Sequence, residues 1–232
     1  MMIKTLLVDA GGVLFNNILE ETCFVRDLAR RYDADPDRLL TEMKSSAHHY
    51  ESGAGHVHGV LYDTLTAAGA ARAHEFDAYW ADQLYLASVH CYDDNVAALA
   101  EVVRAHSGLT VVLANNEAEH WDELKNAHFG HYRHFDRLCS SWRMGQVKPS
   151  AEYFTTVLDH CEAQARESLM IDDRAEVIDV ARTLGMSALH VRTPAMLRSQ
   201  LLSTVEGSPR RSELADAGID GHGVGSDVSR GI

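Results

Sequence analysis

Four short segments carry residue types that suit a single chemistry. Residues 3 to 15 run an apolar stretch, Ile3 to Val8, into a lone carboxylate, Asp9, after which Gly11 and Gly12 let the chain turn away. A carboxylate at a strand tip, where a parallel sheet opens to solvent, suits a nucleophile or a metal ligand, although Asp before Gly also serves ordinary turns. Leu169-Met170-Ile171-Asp172-Asp173 repeats the arrangement, so parallel strands would bring Asp172 and Asp173 to the edge that holds Asp9. Carboxylates that close raise one another's proton affinity unless a cation intervenes, and oxygen donors with no nearby His or Cys favour Mg²⁺. A magnesium-neutralised carboxylate cluster is what phosphoryl chemistry needs, whereas a single acid after a strand is more often a helix N-cap. Lys148 stands before Pro149 and a helix start, where its charge offsets the acids and grips a phosphate oxygen. Ala114-Asn115-Asn116 closes another strand, and amides at the start of the following helix can cradle an anion.

The elements that must position these residues read as alternating strands and helices. Strand-like runs lie at 5–8, 110–114, 138–140, 169–171 and 188–191, the pattern of an α/β sheet with parallel strands. Asp94 is placed to cap a helix carrying Val96, Leu99, Ala100 and Val103, and Ser150 to cap one carrying Tyr153, Phe154, Val157 and Leu158. A third helix runs from Arg174 through Val177, Ile178, Ala181 and Leu184 to Gly185. Between the first two strands the chain is far longer than a simple crossover of roughly a dozen residues. It shows only helical stripes: Phe24, Leu28 and Tyr32; Leu39, Leu40, Met43 and Ala47; Phe76, Trp80 and Leu84. Residues 16–90 are therefore expected to form a helical cap above Asp9, with Ser52-Gly53-Ala54-Gly55-His56 as a connection inside it. Residues 1–15 and 91–202 would form the core. From 203 to 232 glycine, serine and charge predominate, which predicts a mobile tail, with a short docked helix around Arg211 to Ala217 as the alternative.

A chain of 232 residues, 46% of them hydrophobic, builds one large domain or a core with an inserted smaller one. No apolar run approaches the roughly 18 residues of a membrane span, and Ile3 to Val8 reads as a core strand rather than the centre of a leader, so a cytoplasmic protein is expected. A formal charge of -13 argues against a nucleic-acid surface and means that an anionic substrate needs a local cation. Cys23, Cys91, Cys139 and Cys161 are widely spaced without a C-x-x-C pair and read as reduced, buried thiols rather than disulfides or a zinc site.

Asp9-Ala10-Gly11-Gly12-Val13-Leu14, the strand ending Leu113-Ala114-Asn115, Lys148-Pro149 and Ile171-Asp172-Asp173, in this order, resemble the four motifs of the haloacid dehalogenase superfamily over about residues 1 to 195. The segments around Lys148 and after Asp172 are most similar to the branch with a small α-helical cap, home to sugar-phosphate and related phosphatases. The resemblance implies an α/β fold, a Rossmann-like parallel sheet flanked by helices with an inserted α-helical cap. It also implies that Asp9 attacks phosphorus and becomes an aspartyl-phosphate. Mg²⁺ would bind Asp9, the carbonyl of Gly11 and Asp173, with Asp172 supporting or sharing it. Lys148 would orient Asp9 and the phosphate, and amides of Gly11, Gly12, Asn115 and Asn116 would hold the transferring oxygens.

Two positions depart from the pattern. Most phosphatases of the superfamily carry a second Asp two residues after the nucleophile to protonate the leaving group, and here Gly11 stands there. Loss of a positioned acid costs a factor of about 10² to 10⁴ unless another group substitutes; His56, His58 and His120 are the candidates the sequence offers. Ala114 falls where the family has Ser or Thr, a lost hydrogen bond worth roughly 1.5 to 3 kcal/mol. The leading expectation is a Mg²⁺-dependent phosphatase of a small phosphorylated metabolite. The alternatives are a silent or repurposed relative that binds a metabolite or protein partner, and a dehalogenase that uses the same nucleophile.

Overall fold

The computed structural model describes residues 2–206. Its five described strands, β1 Thr5–Val8, β2 Thr110–Leu113, β3 Arg137–Leu138, β4 Ser168–Asp172 and β5 Ser187–His190, form one sheet in the order β3-β2-β1-β4-β5. Every pair is parallel. The described α-helices are α1 Ile18–Glu21, α2 Phe24–Tyr32, α3 Pro36–Glu51, α4 Val57–Ala67, α5 Ala78–Ser88, α6 Asp93–Ala105, α7 Glu119–Phe129, α8 Ser141–Met144, α9 Ala151–His160, α10 Ala175–Thr183 and α11 Leu197–Glu206.

Helices cover both faces of the sheet, which is why the central strands β1 and β4 read as continuous apolar runs rather than alternating ones. Alternation still sorts their side chains. Leu6, Val8, Leu169 and Ile171 pack with Leu99 and Val102 of α6 and with Leu197, Leu201 and Val205 of α11, while Leu7 and Met170 pack with Phe154 of α9 and Val177 of α10. Each fully buried Leu, Ile or Phe in these layers contributes roughly 1.5–3 kcal/mol.

Helix boundaries follow local chemistry. The Ser150 hydroxyl accepts from the Tyr153 amide at 3.2 Å to start α9, and Gly185, at φ 84°, closes α10 in a left-handed conformation. Helix α6 begins two residues earlier than expected, with Tyr92 before it and no side-chain cap; Asp94 lies in its first turn, where an acid favours the helix dipole. β3 covers Arg137–Leu138 rather than 138–140, because Ser140 is already the residue before α8. On α5 the fully buried pair is Ala81 and Tyr85, so the stripe is rotated by one residue from Trp80 and Leu84.

Helices α1 to α5 lie between β1 and α6 and share one apolar cluster, in which Phe24, Leu28, Tyr32, Leu39, Met43, Leu61 and Leu65 pack with Ala118 and with Trp121 of α7. At the chain's far end the expected tail starts too early. Leu197, Leu201 and Val205 are buried at helical spacing, so residues 203–206 belong to α11, and the alternative helix at Arg211 to Ala217 lies outside the described residues. Cys139 is buried and Cys91 and Cys161 are half-buried, but Cys23 is exposed, contrary to expectation; no disulfide is present among the described residues. No helix among the described residues is long and apolar enough to cross a membrane.

Candidate active site

Parallel neighbours in register deliver their terminal residues to the same edge. Asp9 follows β1 directly, Asp172 ends β4, and the Asp9 amide donates to the Ile171 carbonyl at 3.0 Å. Lys148 reaches both acids: its Nζ donates to Asp9 Oδ1 at 2.8 Å and to Asp172 Oδ2 at 2.6 Å, with only 4% of its side chain exposed. Asp172 Oδ1 accepts from the Arg174 amide at 2.9 Å, and Asp173 Oδ2 accepts from Asn17 Nδ2 at 2.7 Å. One oxygen from each of Asp9, Asp172 and Asp173 lies within 4.8 Å of the others. The other oxygen of Asp173, Oδ1, is buried and has no hydrogen-bond partner among the described residues.

Burial pushes the Asp172 carboxyl upward, helped by the charge of Asp9 and opposed by Lys148; burial and Asp9 likewise raise Asp173. Burial disfavours the Lys148 ammonium, yet Asp172 and Asp9 outweigh it and hold the lysine charged. Three acids sharing so little cationic charge, one with an orphaned oxygen, form an oxygen-only donor set of the kind that fits Mg²⁺.

Gly12 is required by close approach and by its backbone conformation, whereas a side chain at Gly11 would displace only the tip of Asn17. A Cβ on Gly12, whose φ is 67°, would collide with the Asp173 carboxylate. A Cβ on Gly11 would lie 2.6 Å from Asn17 Oδ1. The place where an acid was missed in the sequence is therefore filled by the Asn17 side chain, which is already committed to Asp173.

The two asparagines after β2 part company. Asn116 clamps the Lys148 backbone, its Oδ1 accepting from the lysine amide and its Nδ2 donating to the lysine carbonyl, both at 2.9 Å. Asn115 is buried and its side chain turns to Asp122, with Nδ2 3.3 Å from Oδ1, which leaves its own Oδ1 without a partner. His56, His58 and His120 gather around Asp82 and are not among the residues lining the cavities beside Asp9.

Three residues at this edge were not singled out as site residues from the sequence: Asn17, Glu51 and Arg174. A cavity of about 100 Å³ is lined by all three, with Gly11, Tyr50, Asn116, Trp121 and Glu117. Its polar base is a buried pair, Lys125 Nζ to Glu117 Oε2 at 2.8 Å, to which the Tyr85 hydroxyl adds a hydrogen bond at 2.9 Å. Glu51 is pushed up to about 7 by burial and the charge of Glu117, with Arg174 pulling the other way. Arg174 follows the Asp-Asp pair and its position was legible; Glu51 sits far away in sequence, at the end of α3, and carried no local signal.

The profile of the haloacid dehalogenase-like hydrolases matches residues 3–185. The chain belongs to this family. Among solved structures, a haloacid dehalogenase-family enzyme from Bacteroides thetaiotaomicron, in complex with magnesium and inorganic phosphate, superposes with a TM-score of 0.67 at 19% identity over 81% of this chain and 93% of that one. The L-2-haloacid dehalogenase of Xanthobacter autotrophicus, with chloropropionic acid covalently bound, gives a TM-score of 0.59 at 19% identity over 93% of this chain and 88% of that one. At such identities these two hydrolases share the fold with this chain, and the chemistry has to be argued from the site. By sequence the chain is 25% identical over 99 residues to the sesquiterpene phosphatase astK of Aspergillus oryzae, 43% of this chain and 50% of that protein. It is 33% identical over 69 residues to bifunctional epoxide hydrolase 2 of Rattus norvegicus, 30% of this chain and 12% of that protein. The chain thus spans half or less of the length of these curated relatives.

Proposed function

We propose that this hydrolase is a Mg²⁺-dependent phosphatase of a small phosphorylated metabolite, working through an aspartyl-phosphate on Asp9, with the helical insert of residues 16–90 as its cap. The observation that carries the reading is the buried Lys148 bridging Asp9 and Asp172 while Asp173 Oδ1 stands open beside them. Asp9, the Gly11 carbonyl, Asp173 and Asp172 would hold the ion. When bound, it supplies the positive charge that lets an anionic phosphate approach an anionic carboxylate.

The chain's own residues supply the rest. Lys148 fixes the Asp9 carboxylate by its 2.8 Å hydrogen bond and presents positive charge to a phosphate oxygen, and Asn116 fixes the lysine backbone. Amides following Asp9 hold the equatorial oxygens. An Asp9 oxygen attacks phosphorus as the ester P–O bond breaks, and the leaving alkoxide takes a proton. Glu51 is the proposed donor of that proton: it lines the same cavity as Gly11, Asn17 and Arg174, and an acid with a pKa of about 7 is still half protonated at neutral pH. It then accepts a proton from the water that hydrolyses the acyl phosphate.

Phosphate release from a panel of phosphoesters, measured with and without EDTA and with Asp9→Asn, tests the proposal. Metal-dependent release abolished by the substitution supports it. Metal-independent halide release from 2-haloacids would instead assign the dehalogenase reaction, and inertness toward every ester with metabolite binding intact would assign a repurposed protein.

A further inference from the structure

A second cluster of ligating side chains lies away from the Asp9 cavity. His58 of α4, Asp82 of α5 and His120 of α7 converge from three helices, each offering one ligand atom within 4.8 Å of the other two. His58 Nε2 lies 2.8 Å from Asp82 Oδ1, and His120 Nε2 lies 2.8 Å from Asp82 Oδ2. We propose that His58, Asp82 and His120 form a binding site for a divalent transition metal of the Zn²⁺ class, one that ties the helical insert to α7.

The donor chemistry separates this cluster from the one at the sheet edge. Two imidazole nitrogens and one carboxylate oxygen suit a borderline ion such as Zn²⁺ or Co²⁺, which the all-oxygen set around Asp9 does not favour, while Mg²⁺ prefers the oxygens. Three protein ligands leave a fourth tetrahedral position for water, and the side chains are open enough for an ion to enter, with His120 33%, His58 19% and Asp82 13% exposed. An outer hydrogen bond is already in place: the Trp121 indole N–H donates to Asp82 Oδ1 at 3.1 Å, the type of contact that orients a ligating carboxylate.

A plain salt-bridge cluster explains the arrangement less well. The ring of His56 also packs here, with centroids 4.9 Å from His58 and 5.3 Å from His120, and those two rings are 4.5 Å apart. His58 and His120 take one oxygen each of the single Asp82 carboxylate, and the packed rings bring three sets of imidazole nitrogens to one place. A divalent ion binds neutral imidazoles through their lone pairs and supplies the positive charge without protonating any ring.

The test is a Co²⁺ titration of the metal-stripped full chain in excess Mg²⁺, followed by visible absorption. The expected result is one Co²⁺ per chain with the bands of a four-coordinate site, displaced by Zn²⁺, and retained in Asp9→Asn. His58→Gln and His120→Gln should each weaken binding by more than about tenfold. Absence of bound Co²⁺, binding unchanged in both histidine variants, or binding lost in Asp9→Asn would each overturn the proposal. X-ray absorption of the Zn²⁺-loaded wild type supplies a check that needs no variant. Scattering from two imidazoles supports the site, and a shell of oxygen alone refutes it.

Discussion

Two buried acidic centres stand at the same end of the sheet, and the protein treats them in opposite ways. Asp122 of α7 has no exposed side-chain surface, and its oxygens accept from the Ser140 hydroxyl at 2.6 Å, the Trp142 indole at 3.0 Å and the Asn115 amide at 3.3 Å. Burial alone would raise its pKa, yet His131, Lys125, Ser140 and Trp142 more than compensate and hold the carboxyl well below the usual range. At the Asp9 centre the balance falls the other way. Asp172 and Asp173 are pushed upward, Lys148 is divided between two acids, and one oxygen of Asp173 is left bare. An acid that holds the fold together is given its full set of donors by the chain; one meant to bind something else is left short of them.

This contrast is broken or sharpened by substitution. The largest effect is expected at Asp9: Asp9→Asn should lower phosphate release on the order of 10⁴-fold or more while urea unfolding shows a cooperative transition like that of the wild type. If Asp122 is purely structural, Asp122→Ala should reverse that outcome. It strands the donors of Ser140 and Trp142 inside the protein and should cost about 3–5 kcal/mol in urea unfolding, with turnover per folded molecule changed by less than about tenfold. An Asp122→Ala protein of unaltered stability would dissolve the distinction.

Glu51 tests the cavity side of the comparison. With a pKa raised from 4.5 to about 7, the folded state keeps a proton that the unfolded state has lost, so stability falls as pH rises through that window and is flat above it. The contribution is at most about 3 kcal/mol, and it should vanish in Glu51→Gln. Comparing the two proteins in EDTA isolates it from Asp172 and Asp173, which are raised too. If Glu51 also donates the proton, the substitution should slow esters with poor leaving groups more than those with good ones. The smallest effect is at Gly12. A methyl there meets the Asp173 carboxylate and forces a left-handed conformation on alanine, so Gly12→Ala should cost about 1–2 kcal/mol of stability and weaken Mg²⁺ binding about 10- to 100-fold by calorimetry.

The sequence made the sheet edge legible because central parallel strands are apolar throughout and end abruptly in charge. Thr5 to Val8 before Asp9, and Leu169 to Ile171 before Asp172, announce both the strands and the acids at their tips. Side-chain direction was not legible in the same way. Asn115 and Asn116 are adjacent, yet one faces Asp122 and the other clamps Lys148, a choice made by partners 7 and 32 residues away. Glu51 and Asn17 reach the site only through the packing of α1 to α5 as a body, and no local spacing encodes that. The three histidines that the sequence offers as replacement acids illustrate the same limit. Chain proximity to site-forming segments suggested a role at Asp9, whereas tertiary packing assembled them around Asp82. The last turn of α11 was missed because its repeat, Leu197, Leu201 and Val205, crosses the point where composition changes.

The account depends most on Asp9 receiving phosphorus beside a cation held by Asp173. A crystal structure of the protein soaked with Mg²⁺ and BeF₃⁻ examines that directly. The predicted result is beryllium density joined to an Asp9 oxygen, Lys148 touching a fluoride, and Mg²⁺ against the oxygen of Asp173 that now lacks a partner. Bare Asp9 with Mg²⁺ absent from the three carboxylates, at concentrations that saturate related phosphatases, would contradict it.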